Sequence, residues 1–152
     1  MITLAGAMST AEVGKSLAPA IRSQKVHAIC CTGANLEEEL FGLFSRSEYE
    51  HVPNWRHQSK EEDAELHQRG MNRVTDVAIP ESTFTKVGES LMSLWEESEA
   101  VGDSRFPHEY VYDLLLHGDL EVSSAPEDSW LVAAADANLP IFTPGWEDST
   151  LG

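Results

Sequence analysis

The protein has 152 residues, a hydrophobic content of 41% and a formal net charge of −16, from 26 acids against 10 lysines and arginines. That length supports one domain burying about 70% of its unfolded surface, and no apolar run approaches the roughly 18 residues of a membrane helix. The acidic surface repels phosphate backbones, which argues against nucleic-acid binding; it suits a cationic ligand, a basic partner or simple solubility.

Ile2 to Ala5 reads as a strand that begins at once, without the basic and apolar regions of a signal peptide, and we expect an N-terminal segment to be missing. Gly6-Ala7-Met8-Ser9 is a turn of small residues. Ser9-Thr10-Ala11-Glu12 fits a capping box, Ser9 accepting from the Glu12 backbone and Glu12 reaching back. The helix it would open carries Val13, Leu17, Ala20 and Ile21 on one side, with Pro19 expected to bend or shorten it. Val26 to Cys31 is a second strand, in which Cys30 and Cys31 point to opposite faces; reduced, packed thiols suit the cytoplasm. Thr32-Gly33-Ala34-Asn35 is a second small-residue turn. Asn35 reads as the N-cap of a helix whose first turn carries Glu37, Glu38 and Glu39, where the dipole favours negative charge. Strand, turn, helix, repeated, is the rhythm of a parallel-sheet α/β fold.

Residues 45 to 59 show no period. Ser59-Lys60-Glu61-Glu62 is another capping-box pattern, before a short helix ending near Gly70. Gly70 to Arg73 reads as a turn with Arg73 in an ion pair, and Val74 to Ile79 as one strand ended by Pro80. Glu81 to Ala100 is a long amphipathic helix with Phe84, Val87, Leu91, Leu94 and Trp95 on one face, closed by Gly102. Pro107 starts the next helix, with Tyr110, Val111, Leu114 and Leu115 inward and His108 expected at the surface. Glu127 to Asn138 is a further helix burying Trp130, Leu131, Ala134 and Ala135. Pro140 to Thr143 is the last strand. It opens into Pro144-Gly145-Trp146-Glu147-Asp148-Ser149-Thr150-Leu151-Gly152, a loop of the kind that builds ligand sites in open α/β sheets.

Three features can carry chemistry. The two strand–turn–helix junctions let a ligand approach the backbone, and helix-start N–H groups attract anions; an ordinary tight connection is the competing reading, since G-x-G-x-x-G is absent. Successive helix residues point about 100° apart, so Glu37, Glu38 and Glu39 serve different directions. One can face a ligand, or all three can be surface acids complementing the dipole. Glu147 and Asp148 suit a ribose hydroxyl or a cation, or are turn acids, and Trp146 can wall such a site. The six histidines form no H-E-x-x-H pair, so no metal site is expected. The lack of a Ser-His-Asp or Cys-His arrangement argues against a hydrolase.

Five strings together resemble the deoxyhypusine synthase family, particularly its bacterial members: Leu4-Ala5-Gly6-Ala7-Met8-Ser9, Cys31-Thr32-Gly33-Ala34-Asn35-Leu36-Glu37-Glu38, Gly70-Met71-Asn72-Arg73-Val74, Ile79-Pro80-Glu81, and Pro144 to Gly152. They occur in the family's order and cover essentially residues 1–152. The resemblance implies a Rossmann-like parallel sheet flanked by helices, incomplete in this chain, that forms part of an NAD-binding domain. It implies NAD as cofactor and spermidine or a related polyamine as substrate. In this family NAD takes a hydride from spermidine, the resulting imine loses diaminopropane, and the aminobutyl group passes through an enzyme lysine to an acceptor amine. The acceptor is a protein lysine, or putrescine in the related homospermidine synthases. Family members are typically homotetramers.

Carried over residue by residue, the resemblance assigns NAD contacts to Ser9, Thr10, Ala11, Glu12, Val13, Thr32, Gly33, Ala34, Glu38 and Asp148, and polyamine binding to Glu37 and Glu38. Thr10 replaces an asparagine common in eukaryotic members. The family's catalytic lysine lies downstream of the string ending at Gly152, and Lys15, Lys25, Lys60 and Lys86 do not match it, so no catalytic residue is assigned. The resemblance leaves two expectations. The chain is the first part of an aminobutyltransferase, inactive alone, or it is a non-catalytic binding module that keeps half a site.

Overall fold

A computed structural model describes all residues from Met1 to Gly152. Three short strands form a parallel sheet: β1 (Ile2–Leu4), β2 (Ile29–Cys31) and β6 (Ile141–Phe142), in the order β1-β2-β6. The register sets Ile2 opposite Ile29, Leu4 opposite Cys31 and Ile29 opposite Ile141. Val26 lies outside the ladder, against expectation. With Ile2 beside Ile29, β1 reaches back only as far as the Ala28 carbonyl, which accepts from Ile2 N at 3.0 Å, so Val26 contributes apolar burial alone.

Six helices accompany the strands: α1 (Gly14–Arg22), α2 (Gly33–Ser45), α3 (Lys60–Gln68), α4 (Glu81–Val101), α5 (Pro107–His117) and α6 (Trp130–Asp136). All but α3 contribute to one core of 24 buried residues, in which Ile29, Leu36, Leu40, Trp130 and Leu131 are fully enclosed. The helices thus flank the parallel sheet, the partial Rossmann-like α/β arrangement expected. Helix α1 runs on through Pro19 to Arg22. Gly102 closes α4 with φ 70°, a left-handed C-cap that glycine adopts without steric cost. No helix is long and apolar enough to cross a membrane.

The segment between α2 and α4 builds a second, antiparallel sheet, ordered β3-β5-β4, from β3 (Glu50–His51), β4 (Met71–Val74) and β5 (Val77–Pro80). The stretch expected as one strand from Val74 to Ile79 is instead a hairpin. Val74 pairs with Val77 across Thr75 and Asp76, and Thr75 has φ 57°. The aperiodic stretch hides β3, which is too short to alternate. The Ser59 capping box forms in full, with Ser59 Oγ accepting from Glu62 N and Glu62 Oε2 accepting from Ser59 N. Arg73 lies in β4 rather than in a turn, and it makes the expected ion pair, with Asp63 at 2.5 Å.

Two further expectations change. Helix α6 starts at Trp130, because Ser129 caps it by accepting from Leu131 N and Val132 N while residues from Pro126 to Asp128 form a separate 3-10 turn. His108 is buried, against its expected surface position. Its ring stacks on Phe106 and meets Tyr112 edge-on, and this burial holds its imidazole below the ordinary histidine value.

Candidate functional site

The two βα turns meet at the C-terminal edge of the parallel sheet. Thr32 N donates to Leu4 O at 3.3 Å, and Thr32 Oγ1 donates to the Gly6 carbonyl at 2.6 Å. Asn35 completes the join. Its Nδ2 donates to Gly6 O at 2.7 Å and to Thr32 Oγ1 at 2.8 Å, while its Oδ1 accepts from Met8 N at 2.9 Å. Asn35 is therefore not the N-cap. Thr32 has the extended backbone of a cap, and its hydroxyl accepts from Asn35 N. The fully buried Asn35 amide is a clip between turns 27 to 29 residues apart.

The Ser9 capping box does not form. The Ser9 hydroxyl donates to Asn35 O at 2.7 Å and accepts from Trp130 Nε1 at 3.1 Å, wholly out of solvent. The chain instead makes a tight turn, with Ala11 N bonded to Met8 O and Glu12 N to Ser9 O, before α1 begins at Gly14. Glu12 has φ 59°, a left-handed backbone that costs a residue with a side chain about 1–2 kcal/mol. Ser9 can thus offer the edge backbone but not its hydroxyl, whereas Thr10, Ala11, Glu12 and Val13 are at least partly exposed.

The three glutamates of α2 are buried, which overturns the surface-acid reading. They also lie beyond the first turn, because the cap is Thr32. Each carboxylate holds a different segment, as their 100° spacing requires. Glu37 Oε2 accepts from Leu151 N at 2.9 Å. Glu38 Oε2 accepts from Thr10 Oγ1 at 2.7 Å and Thr10 N at 3.3 Å. Glu39 Oε1 accepts from Ser129 Oγ at 2.7 Å and Trp130 N at 3.2 Å. Burial pushes the Glu39 carboxyl above the usual range, opposed by these hydrogen bonds and by the charge of Arg46. The second oxygens of Glu37 and Glu38 take no hydrogen bond within the chain, and neither is sealed from solvent.

The loop after β6 closes over the start of α2. Gly145, with φ 71°, leads into a 3-10 turn from Trp146 to Asp148, and a Cβ added to Gly33 would lie 2.6 Å from Ser149 Cβ. Trp146 packs half-buried against the core, so it walls the loop's inner side. Asp148 is exposed. The structure thus brings Thr32, Gly33, Ala34, the 9–13 turn, Glu37, Glu38 and the loop carrying Asp148 to one edge of the sheet. Gly33 and Ala34 have the unpaired N–H groups of a helix start, and nothing lies within 4 Å of a Cβ added at Gly6. Open backbone at Gly6, helix-start donors and a nearby carboxylate are features that suit an anionic ligand bearing hydroxyl groups, with Gly33 itself buried beneath Ser149 and Ala34 partly exposed.

Sequence reasoning missed Asn35 as a clip, Glu39 as a buried anchor and Arg46. The Arg46 guanidinium donates to Thr10 O and Ser9 O, both at 3.4 Å, and lies 3.8 Å from Glu12. A polar cleft of about 130 Å³ opens here, lined by Glu12, Lys15, Glu39, Arg46, Asp128 and Ser129 among others. A larger cleft of about 380 Å³, lined by Phe44, Thr83, Lys86 and Leu120 among others, sits at the far end of α2. No sequence signal marked Arg46, because its partners are backbone carbonyls some 36 residues away.

Comparison with known proteins covers the whole chain. The sequence model of one family, deoxyhypusine synthase, matches residues 1–152. A probable deoxyhypusine synthase 2 from Methanosarcina mazei is 30% identical over 154 residues, covering 100% of this chain and 41% of the relative. One from Archaeoglobus fulgidus, also named probable deoxyhypusine synthase 2, is 28% identical over 152 residues, covering 100% of this chain and 47% of the relative. A probable deoxyhypusine synthase from Aeropyrum pernix is 35% identical over 92 residues, 60% of this chain and 28% of the relative. The chain therefore spans less than half the length of these curated relatives.

Proposed function

This chain belongs to the deoxyhypusine synthase family, and from that membership we propose that it carries part of the NAD and polyamine site for aminobutyl transfer from spermidine to an acceptor amine. One observation supports this most. Glu37 and Glu38 are buried at the edge where both βα turns meet, yet each keeps one carboxylate oxygen free of protein partners. Two such oxygens on diverging side chains can neutralise the ammonium groups of a polyamine as it loses water. NAD, when bound, supplies the oxidant for spermidine cleavage. Gly33 and Ala34 would hold it by their N–H groups, Asp148 by a ribose hydroxyl, and the 9–13 turn by its backbone. The same reading takes the acceptor as a protein lysine or putrescine, and the assembly as a cytoplasmic homotetramer. The 152 residues alone are expected to release no diaminopropane, since none of their lysines matches the family's covalent lysine.

Calorimetric titration of NAD and of spermidine into the assembled protein tests the assignment. Glu37→Gln should weaken spermidine binding about tenfold or more, the usual loss for a hydrogen bond to a charged group, and leave NAD binding nearly unchanged. Glutamine keeps an acceptor for Leu151 N, so the loop stays docked. Asp148→Asn should show the reverse preference. Equal losses of both ligands in both variants would reduce these residues to structural acids.

A further inference from the structure

The 9–13 turn is held in a conformation that it does not favour on its own. Glu12 occupies left-handed backbone space, and such a residue persists only where its surroundings over-determine it. Two side chains of α2 and its C-terminal end supply that constraint. Glu38 takes the Thr10 N–H and hydroxyl. Arg46, eight residues further along, reaches back so that Nη2 meets Ser9 O and Nη1 meets Thr10 O, with the Glu12 carboxylate beyond. The guanidinium runs over Gly42, where a Cβ would lie 2.9 Å from Nη2 and 3.4 Å from Nε. Glycine inside a helix is unfavourable relative to alanine. Its presence at this position makes room for the arginine, and the Tyr49 ring supports the guanidinium from 5.9 Å.

We propose that Arg46, seated in the notch left by Gly42, is a positioning residue that fixes the 9–13 turn in the shape the cofactor edge needs. The inference rests on the proposed NAD site, because it assigns Arg46 no contact with the ligand and acts only through the backbone of Ser9 and Thr10. A turn populated only part of the time in its competent form lowers apparent affinity by that fraction. The competing role, a cation complementing the C-terminus of α2, would leave the turn untouched.

Two variants separate these roles. Arg46→Met removes the fork. Gly42→Ala keeps the arginine but fills its notch, and it should strengthen the helix itself. Hydrogen exchange is read on the full chain at the Ala11 and Glu12 amides, which bond within the turn. Both variants should exchange there about tenfold faster, with core amides unchanged. Gly42→Ala should do so without a lower melting temperature. Arg46→Lys, which keeps the charge but not the fork, should restore only part of the protection. In the assembled protein, NAD affinity should fall about three- to tenfold in both Arg46→Met and Gly42→Ala. Unchanged exchange at Ala11 and Glu12, or a uniform loss of protection over the whole chain, overturns the positioning role. Normal NAD affinity with a loosened turn overturns its link to the cofactor. Failure of the unsubstituted assembled protein to bind NAD overturns the proposed function, and the exchange data then decide the role of Arg46 by themselves.

Discussion

The β1-β2-β6 sheet lies within a core built by five helices, with Trp130, Ile29, Leu36 and Leu40 out of solvent. The β3-β5-β4 sheet has the same number of strands but a cluster of only three buried apolar residues, Leu66, Met71 and Ala78, with Val52 packed against them and Ile79 buried outside that cluster. It relies on its ladder, on the Ser59 cap and on ion pairs at its surface, such as the two-pronged contact of Arg69 with Glu50 at 2.8 and 3.1 Å. Exposed pairs of this kind contribute little to stability and weaken in salt. The difference shows what the site needs. Every residue brought to the proposed cofactor edge stands on the large core, and none stands on the antiparallel unit. Precision at that edge therefore comes from packing, and the antiparallel unit is expected to open without disturbing it.

The sharpest way to break this contrast is Trp130→Ala. The side chain is fully buried and its Nε1 is bonded to Ser9, so the variant should lose about 3–5 kcal/mol in urea unfolding. Because Trp130 also adjoins the Glu39 anchor, the loss should be global. A cost below about 1 kcal/mol, outside the usual range for buried tryptophan, would mean that the core does not support the edge. A smaller and local effect is expected of Ser59→Ala, about 1 kcal/mol for a lost N-cap. Amide exchange should quicken in α3 and the β4–β5 hairpin and stay slow in α2 and α6. Simultaneous loosening of both regions would show that they form one cooperative unit.

The least effect belongs to Glu39→Gln, and it is a dependence on pH. Burial raises the folded-state value of this carboxyl above its unfolded one. Its protonated form therefore favours the fold. That contribution is complete in acid, below the ordinary carboxyl value, and is lost as pH rises through the raised value. Glutamine preserves the acceptor for Ser129 and Trp130 without the buried charge. The variant should match the parent in acid and exceed it at neutral pH, as read from melting temperatures across that window. A difference that does not vary with pH would remove the buried charge from the account.

The elements that the sequence reveals are those with local causes. Helix α4 follows from Val87 and Leu91 at helical spacing and ends at a glycine, and the Ser59 cap is complete within four residues. The elements it conceals depend on distant partners. Ser9 and Asn35 are both good capping residues in isolation, and both are diverted, Ser9 to Trp130 and Asn35 to the backbone of Gly6 and Met8. His108 looks exposed until Phe106 and Tyr112 fold around it. The hairpin is masked because Thr75 and Asp76 interrupt an otherwise apolar run by only two residues. At the site, the turns and the acidic triplet are legible in the sequence. The division of labour among the three acids is not, since their partners lie at positions 10, 129, 130 and 151.

That triplet makes α2 behave like an indexed shaft. Glu37, Glu38 and Glu39 address three separate stretches of chain from three successive angular settings of one helix. One residue inserted or deleted between Thr32 and Glu37 would turn all three carboxylates by about 100° relative to the cap, releasing the C-terminal loop, the first turn and the start of α6 in a single step. Length variation is thus barred from the first turn of this helix. The Glu81–Val101 helix is phased differently, by an apolar face that sets Val87 and Leu91 in the core rather than by buried carboxylates.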